Sequence, residues 1–100
     1  MSIQIRIVTP TNIAFEGTTD MVTGPGFHGE FGVLEHHARF LTLNSPGIIR
    51  LGKEQNQEKF VVGKGFAEVT ENVVTYLVDS CIAQSAITGS VEEYLASLQN

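Results

Sequence analysis

The sequence predicts an all-β protein, a two-sheet antiparallel β-sandwich with a short C-terminal helix. Short β-prone runs recur up to residue 86, turn signals rich in glycine and proline separate them, and no apolar pattern of helical period occurs before residue 89. Many short strands joined by turns are typical of a sandwich or a barrel. A mixed α+β domain is the weaker alternative, because the chain lacks helical patterning between the strands.

The N-terminal third contains three predicted strands. The alternation of Ile3, Ile5 and Ile7 with polar neighbours indicates a half-buried strand that ends at Thr9 and Pro10. Residues 13–16 form a second strand that ends at a glycine, and residues 21–23 form a third. We expect the Gly-Pro-Gly sequence at residues 24–26 to break this third strand, since both residue types favour turns.

Residues 29–38 combine two glycines, a carboxylate and two histidines with apolar anchors. We expect a turn here, because glycine relaxes the backbone at a bend while Phe31, Val33 and Leu34 supply side chains to bury. Such a turn suits a metal site, a catalytic site or a docking loop. Deciding among these three requires the chemistry of the individual residues.

The remaining strands follow in sequence. Residues 40–43 and 48–51 are separated by a Ser-Pro-Gly break, residues 52–58 are predicted to form a polar hairpin loop, and residues 59–62, 66–70 and 73–78 are strongly β-prone. A Glu-Asn turn at residues 71–72 predicts a hairpin between the last two of these strands. Residues 80–86 are a weaker candidate for a final strand.

The chain ends in a predicted helix. Ser90 with Glu93 three residues later forms a capping box, and Val91, Tyr94, Leu95 and Leu98 would share one face. About ten residues are too few for a helix to be stable alone in water. It therefore packs on the sandwich or on a partner, or begins a longer segment. We divide the chain into a sandwich over residues 1–87 and a helical segment over residues 88–100.

Composition excludes several classes of function. The 100 residues suit one domain, and 42% hydrophobic with 17% charged residues is ordinary for a globular protein. A net charge of −5 argues against nucleic acid as the main partner, since phosphate binding needs a basic surface. Residues 1–6 lack the apolar region and the cleavage site of a signal peptide, so we expect none, and no apolar run is long enough to span a bilayer. Cys81 is the single cysteine, so no internal disulfide forms.

Catalytic and metal chemistry find little support. His28, Glu30, His36 and His37 lie close in sequence, but adjacent residues of an extended segment face opposite sides and the spacing fits no strong metal signature. Cys81 lies in an apolar run, where a small buried thiol is the ordinary interpretation. We predict no catalytic residue, no metal and no cofactor, which leaves protein docking.

Several segments nevertheless follow one another in a distinctive order over roughly residues 3–87. They are Ile7-Val8-Thr9-Pro10, Phe15-Glu16-Gly17, Gly29-Glu30-Phe31-Gly32-Val33-Leu34, His37-Ala38, Pro46-Gly47-Ile48-Ile49-Arg50, Val62-Gly63-Lys64-Gly65-Phe66-Ala67-Glu68-Val69 and Val73-Val74-Thr75-Tyr76-Leu77-Val78-Asp79. Each segment is weak evidence alone, but their order and spacing resemble the N-terminal β-sandwich of the epsilon subunit of the rotary F-type ATP synthase.

The resemblance implies a non-catalytic subunit of the central rotor. In that family the sandwich sits at the foot of the gamma subunit and touches the polar loops of the membrane c-ring, so that proton-driven torque reaches the catalytic head. The chain would then be peripheral on the cytoplasmic face of the inner (plasma) membrane, or on the organellar equivalent, through the complex only. Its partners would be the gamma subunit and the c-ring, with no nucleic acid.

The resemblance also implies the contact residues. The ring-contacting turn of the family falls on residues 29–32 and the nearby segment 37–42, and it places Glu30 and His37 against the ring loops. The full set of expected c-ring contacts is Gly29, Glu30, Phe31, Gly32, His37, Ala38 and Arg39. The expected gamma contacts are Thr9, Pro10, Phe40 and Thr42.

Two departures from the family pattern qualify these expectations. The family commonly has Pro-Gly-His-Ala-Pro where this chain has Glu-His-His-Ala-Arg at residues 35–39, which loosens the turn and adds Arg39. The family also continues into two C-terminal helices, of which residues 90–100 correspond to part of the first. From this we expect the inhibitory arm and the nucleotide site of the family to be lacking.

Two other classes of protein remain as alternatives. A stand-alone β-sandwich that binds a small molecule or carbohydrate would need an aromatic platform, but the chain has no Trp and two Tyr. A small metal-dependent β-barrel protein would use His28, Glu30 and His37 as ligands.

Overall fold

A computed structural model describes residues 2–33, 39–52 and 57–99, and within them ten strands, a 3₁₀ turn at Gln84–Ala86 and one α-helix. The polar loop predicted at residues 52–58 lies largely outside the described residues. In chain order the elements are β1 (Ile3–Val8), β2 (Ile13–Thr19), β3 (Val22–Gly26), β4 (Gly29–Val33), β5 (Phe40–Asn44), β6 (Gly47–Leu51), β7 (Glu58–Val62), β8 (Gly65–Thr70), β9 (Val73–Val78), β10 (Cys81–Ala83) and α1 (Val91–Leu98).

The strands form two five-stranded sheets, which confirms the predicted sandwich. Sheet 1 has the order β2-β1-β9-β8-β5, and sheet 2 has the order β10-β7-β6-β3-β4. The predicted hairpins β6–β7 and β8–β9 are present with continuous antiparallel register. One pair departs from the antiparallel rule, because β1 and β9 run parallel at the centre of sheet 1, with Ile5 beside Val74 and Ile7 beside Tyr76.

The core lies between the sheets and follows from the period-two alternation of the strands. Ile3, Ile5 and Ile7 on β1 are completely buried, as are Val74 and Tyr76 on the adjacent strand β9. Burying a side chain of this size is worth about 1.5–3 kcal/mol. The central strands of sheet 1 therefore supply much of the energy that holds the sandwich together.

Three predicted boundaries are wrong. The strand expected to end at Gly17 continues as β2 to Thr19, and Gly24-Pro25-Gly26 continues β3 rather than breaking it. Within the described residues β6 pairs with β3 only at Val22 and Thr23, so Pro25 lies where β3 has β4 as its strand neighbour. This edge-like setting is where a strand tolerates proline. Residues 29–33, expected in a turn, form β4, and Phe27 and His28 make the turn.

The C-terminal helix begins as predicted. The Ser90 Oγ accepts a hydrogen bond of 3.3 Å from the Glu93 backbone N–H, which makes Ser90 the N-cap, and its hydroxyl lies 2.8 Å from the Glu92 carboxylate. The four residues expected on one face are half-buried. Leu98 lines a groove together with Leu43, so the end of α1 lies beside the sandwich. Across the described ranges, no helix has the length and apolar character needed to cross a membrane.

Candidate functional site

The outer half of the β3–β4 hairpin lies outside the ladder that joins β3 to its sheet. Its strands pair with each other from Val22 opposite Val33 to Gly26 opposite Gly29. Its neighbour β6 pairs only with the first two residues of β3, so the outer half of the hairpin extends beyond that ladder. The tip of the hairpin, Phe27 and His28, is exposed. Gly47 at the start of β6 still packs against the Pro25 ring, but the outer half of β3 has no ladder pairing with β6, so side-chain contacts add to its support.

Contacts to sheet 1 hold this outer half. The Tyr76 hydroxyl on β9 donates a hydrogen bond of 2.9 Å to the Pro25 carbonyl oxygen. Phe31 on β4 stacks on Tyr76, with ring centroids 6.3 Å apart and an interplanar angle of 12°. It also makes a T-shaped contact with Phe40, with ring centroids 5.2 Å apart. The Phe27 backbone N–H donates to the Thr42 Oγ1 at 2.9 Å. The hairpin of sheet 2 is thus fastened to β5 and β9 of sheet 1.

A further contact joins the hairpin to its own sheet. Arg50 on β6 reaches Glu30 on β4, and its guanidinium Nη1 donates to the carboxylate Oε2. The side chains are 30% and 53% exposed, so water competes with this ion pair and its contribution to stability is small. The ion pair does hold the Glu30 carboxylate, which was predicted to face the c-ring, toward Arg50.

An open groove of about 460 Å³ runs between the hairpin and β5. It is lined by Gly29, Glu30 and Phe31, which were predicted as ring contacts, and by Phe40 and Thr42, which were predicted as gamma contacts. The fold therefore brings together residues from both predicted sets. The exposed Gly32 is also on β4, and the exposed Arg39 directly precedes β5. His36, His37 and Ala38 lie outside the described residues.

The outer face of sheet 1 carries a line of apolar side chains, which we call the apolar row. The pairings of the strands put its members side by side from one edge of the sheet to the other. The apolar row consists of Ile13, Val8, Leu77, Phe66 and Leu43. Leu43 is 62% exposed, and the nearby Leu41 and Phe27 are 67% and 68% exposed. Contiguous exposed apolar surface of this kind marks interaction sites in proteins.

The next line of residues on the same face is mainly polar. Arg6 and Glu16 form an ion pair with an Nε–Oε2 distance of 2.9 Å, and Thr75 and Glu68 follow on β9 and β8. Leu41 on β5 completes this line. The apolar surface is therefore concentrated at one end of sheet 1, with a charged border beside it.

The predicted gamma residues lie around the apolar row rather than within it. Thr9 and Pro10 begin the turn between β1 and β2, where the Thr9 N–H donates to the Asn12 carbonyl at 2.9 Å. Phe40 and Thr42 are half-buried and face the hairpin, while the alternate residues Leu41 and Leu43 are exposed. Sequence reasoning missed these two leucines. The alternation is misleading here, because the more apolar face of β5, with Leu41 and Leu43, points outward while the face with Thr42 and Asn44 points inward.

The described residues give no support to a metal centre. No group of three or more His, Cys, Asp or Glu side chains in ranges 2–33, 39–52 and 57–99 comes together to bind a metal ion. His28 meets the edge of the Phe27 ring at 4.9 Å, and Glu30 is occupied by Arg50. Cys81 is half-buried in β10, and burial raises the pKa of its thiol to about 11, which disfavours the nucleophilic thiolate.

Comparison with known proteins gives a consistent result. The sequence model of the family described as "ATP synthase, Delta/Epsilon chain, beta-sandwich domain" matches residues 2–84. An ATP synthase epsilon chain of a Nitratiruptor species is 37% identical over 98 residues, covering 92% of this chain and 76% of that relative. An epsilon chain of Rhodopseudomonas palustris (strain BisA53) is 44% identical over 73 residues, which cover 73% of this chain and 54% of that relative.

Two solved structures share the fold. A chain of the Euglena gracilis mitochondrial ATP synthase, in a structure of OSCP/F1/c-ring, superposes with a TM-score of 0.78 at 23% identity, covering 96% of this chain and 60% of that one. A chain of the Tetrahymena thermophila mitochondrial ATP synthase, in a structure of the central stalk and c-ring, gives a TM-score of 0.65 at 14% identity. The match covers 97% of this chain and 87% of that one.

Proposed function

The chain belongs to the ATP synthase delta/epsilon-chain β-sandwich family, and we propose that it links the gamma subunit to the membrane c-ring during proton-driven ATP synthesis. It is an epsilon subunit of the ATP synthase central stalk and is not catalytic. Its work in this proposal is mechanical. It offers one surface to each partner and must be stiff enough to carry torque between them. Residues 1–87 would form this linking sandwich, with residues 88–100 as a separate helical segment.

The gamma subunit is proposed to dock on the apolar row. Exposed side chains as large as Phe66 and Leu43 lie on a hydrogen-bonded sheet, which gives a firm face for a partner to cover. Thr9 and Pro10 would contact gamma from the turn beside Val8 at the other end of the row. Phe40 and Thr42 would support the contact from the inner side of β5. The apolar row is the single observation that carries this proposal.

The c-ring is proposed to meet the β3–β4 hairpin and the segment that precedes β5. Glu30 and Gly29 stand near the exposed tip, with Phe31 and Gly32 behind them on β4. Arg39 adds a positive charge, and His37 and Ala38 would complete the contact. The exposed charges of Glu30 and Arg39 suit the polar loops expected of the ring. One ion pair at such a rim is worth about 0–1 kcal/mol, so affinity should depend on the combined contact area.

The proposed attachment to the membrane is indirect. The chain would be peripheral on the cytoplasmic face of the inner (plasma) membrane, or on the organellar equivalent, and held there through gamma and the c-ring. The net charge of −5 gives no electrostatic reason for an acidic lipid surface to attract it directly. Vesicles without the c-ring should therefore leave the protein in solution.

Calorimetry with the purified gamma subunit of the same ATP synthase tests the proposal. We expect one-to-one binding by the wild-type chain and a loss of at least about tenfold in affinity for Phe66→Ser, which removes the aromatic centre of the apolar row. Glu68→Gln, also outward on β8, is the matched control and should bind as wild type. Absence of binding by the folded wild-type chain would contradict the linking function. Equal affinities for both variants would mean that gamma docks elsewhere.

A further inference from the structure

We propose that Tyr76 is the positioning residue that makes the β3–β4 hairpin and the apolar row move as one body. This inference rests on the proposed function, because it concerns how the two docking surfaces are joined. The Tyr76 side chain connects β9 of sheet 1 to β3 of sheet 2 through its hydroxyl on the Pro25 carbonyl. The tie acts at the point where β3 has left the ladder with β6.

The position of Tyr76 on β9 is what allows it to join the two surfaces. Its side chain points into the sandwich and is completely buried, whereas the next residue, Leu77, points outward and belongs to the apolar row. β9 is flanked by β1 and β8, so its backbone is fixed on both sides. A load on Leu77 from outside therefore reaches the Tyr76 Cα through one peptide unit.

The hairpin is shaped to receive this hydroxyl. A Cβ atom at Gly24 would overlap the Tyr76 Oη and come within 3.1 Å of its Cζ, so only glycine leaves space for the ring beside β3. Phe31 stacks on the same ring from β4. Pro25, whose carbonyl accepts the bond, is directly opposite Glu30 in the hairpin register. The tie thus ends at the strand pair that carries the proposed ring-facing carboxylate.

The other polar contacts of the hairpin are more open to water. Glu30 and Arg50 are both partly exposed, and the hydrogen bond from Phe27 to Thr42 lies at the exposed tip. A hydrogen bond from a buried tyrosine is less easily replaced by water, and burying a hydroxyl without its partner is costly. The Tyr76 tie is therefore the contact that should dominate the stiffness of the outer hairpin.

The variant Tyr76→Phe tests the inference, because it removes the hydroxyl and keeps the ring. Tyr94→Phe on α1 is the control, since it makes the same chemical change away from the hairpin. Three readouts are compared: affinity for gamma, affinity for the detergent-solubilised c-ring, and amide hydrogen exchange. For Tyr76→Phe we expect gamma affinity within about twofold of wild type, c-ring affinity lower by about five- to tenfold, and exchange faster by about tenfold in residues 22–33 but not in β1 or β9. Tyr94→Phe should leave all three unchanged.

The readouts separate failure of the inference from failure of the proposed function. The inference is wrong if amide exchange in the hairpin of Tyr76→Phe is unchanged. It is also wrong if Tyr76→Phe binds the c-ring as tightly as a wild-type chain that does bind the ring. A wild-type chain that binds neither partner overturns the proposed function, and the exchange data then still decide whether Tyr76 holds the hairpin. Gly24→Ala is the second variant, because it displaces the hydroxyl without removing it and should reproduce the effect on exchange.

Discussion

Arg50 on β6 reaches past β3 to pair with Glu30 on β4, although the two residues lie 20 positions apart in sequence. The carboxylate proposed to meet the c-ring is therefore already held from within the protein. The ion pair turns the Glu30 carboxylate toward Arg50 and leaves about half of the Glu30 side chain exposed to a partner. It also means that the ring must share this carboxylate with Arg50.

Glu30→Gln should weaken binding to the c-ring and flatten its dependence on salt, with little effect on folding. The pair is exposed, so its loss should change the free energy of unfolding by less than about 1 kcal/mol. Glu16→Gln is the matched control, because Glu16 pairs with Arg6 on sheet 1 with similar exposure. Ring binding at several ionic strengths, alongside chemical denaturation, measures both effects. An equal loss of ring affinity in the two variants would argue against a ring contact at Glu30.

Val74→Asp should abolish the fold. Val74 is completely buried on β9 between Ile5 and Val69, so the substitution places a carboxylate in the core at a cost above about 4 kcal/mol. Thr75→Asp, one residue further and pointing outward, should leave a cooperative unfolding transition. Near-ultraviolet circular dichroism and urea denaturation compare the two. A cooperatively folded Val74→Asp protein would show that this strand is not central to stability.

Gly24→Ala should destabilise the protein by about 1–3 kcal/mol, because its methyl group overlaps the Tyr76 hydroxyl. The cost should be smaller by about 1 kcal/mol when Tyr76→Phe is already present, since the overlapping oxygen is then gone. Gly32→Ala is the control, because the nearest neighbour of its Cβ would be the flexible end of Met21 at 3.2 Å. Urea denaturation of the four proteins in this cycle measures the coupling. Strict additivity would mean that the two sites do not touch.

Cys81 should react slowly with iodoacetamide in the folded protein. Burial raises the pKa of its thiol from 9.0 to about 11, so the reactive thiolate is scarce at pH 8 and reaches half of the molecules only near pH 11. Between these two pKa values the unfolded chain binds fewer protons than the folded chain, so stability falls as pH rises from about 9 to 11. Alkylation rates with and without urea test whether folding slows the reaction of the thiol. The pH dependence of stability, compared with that of Cys81→Ala, isolates the contribution of the thiol. Equal alkylation rates of the folded and unfolded protein at pH 8 would contradict the raised pKa on which both expectations rest.

Local pattern in the sequence was sufficient for most of the strands and for the class of fold. The alternation of Ile3, Ile5 and Ile7 located β1 and its buried face, and Ser90 with Glu93 located the start of α1. Local pattern failed at Gly24-Pro25-Gly26, because residues that favour turns are also tolerated where a strand leaves its ladder. The glycine at position 24 is needed for the Tyr76 ring, a requirement that depends on a residue far along the chain.

The candidate site was less predictable than the fold. The resemblance to the epsilon family directed attention to Glu30, but its partner Arg50 lies on another strand and carries no local signal. On β5 the prediction chose Phe40 and Thr42, whereas the exposed surface is formed by Leu41 and Leu43. The pairing of β5 with β8 places Leu41 and Leu43 on the outer face, although they form the more apolar face of this strand.

The parallel pairing of β1 with β9 has a consequence for the order of assembly. The first strand of the chain forms a hairpin with β2, but its other edge remains open until residues 73–78 have been synthesised. Sheet 1 therefore closes through a contact between distant parts of the chain, which raises the contact order and slows folding. Until that step, Ile3, Ile5 and Ile7 have no core to enter. We expect the nascent chain to be most prone to aggregation during this interval, before the ninth strand leaves the ribosome.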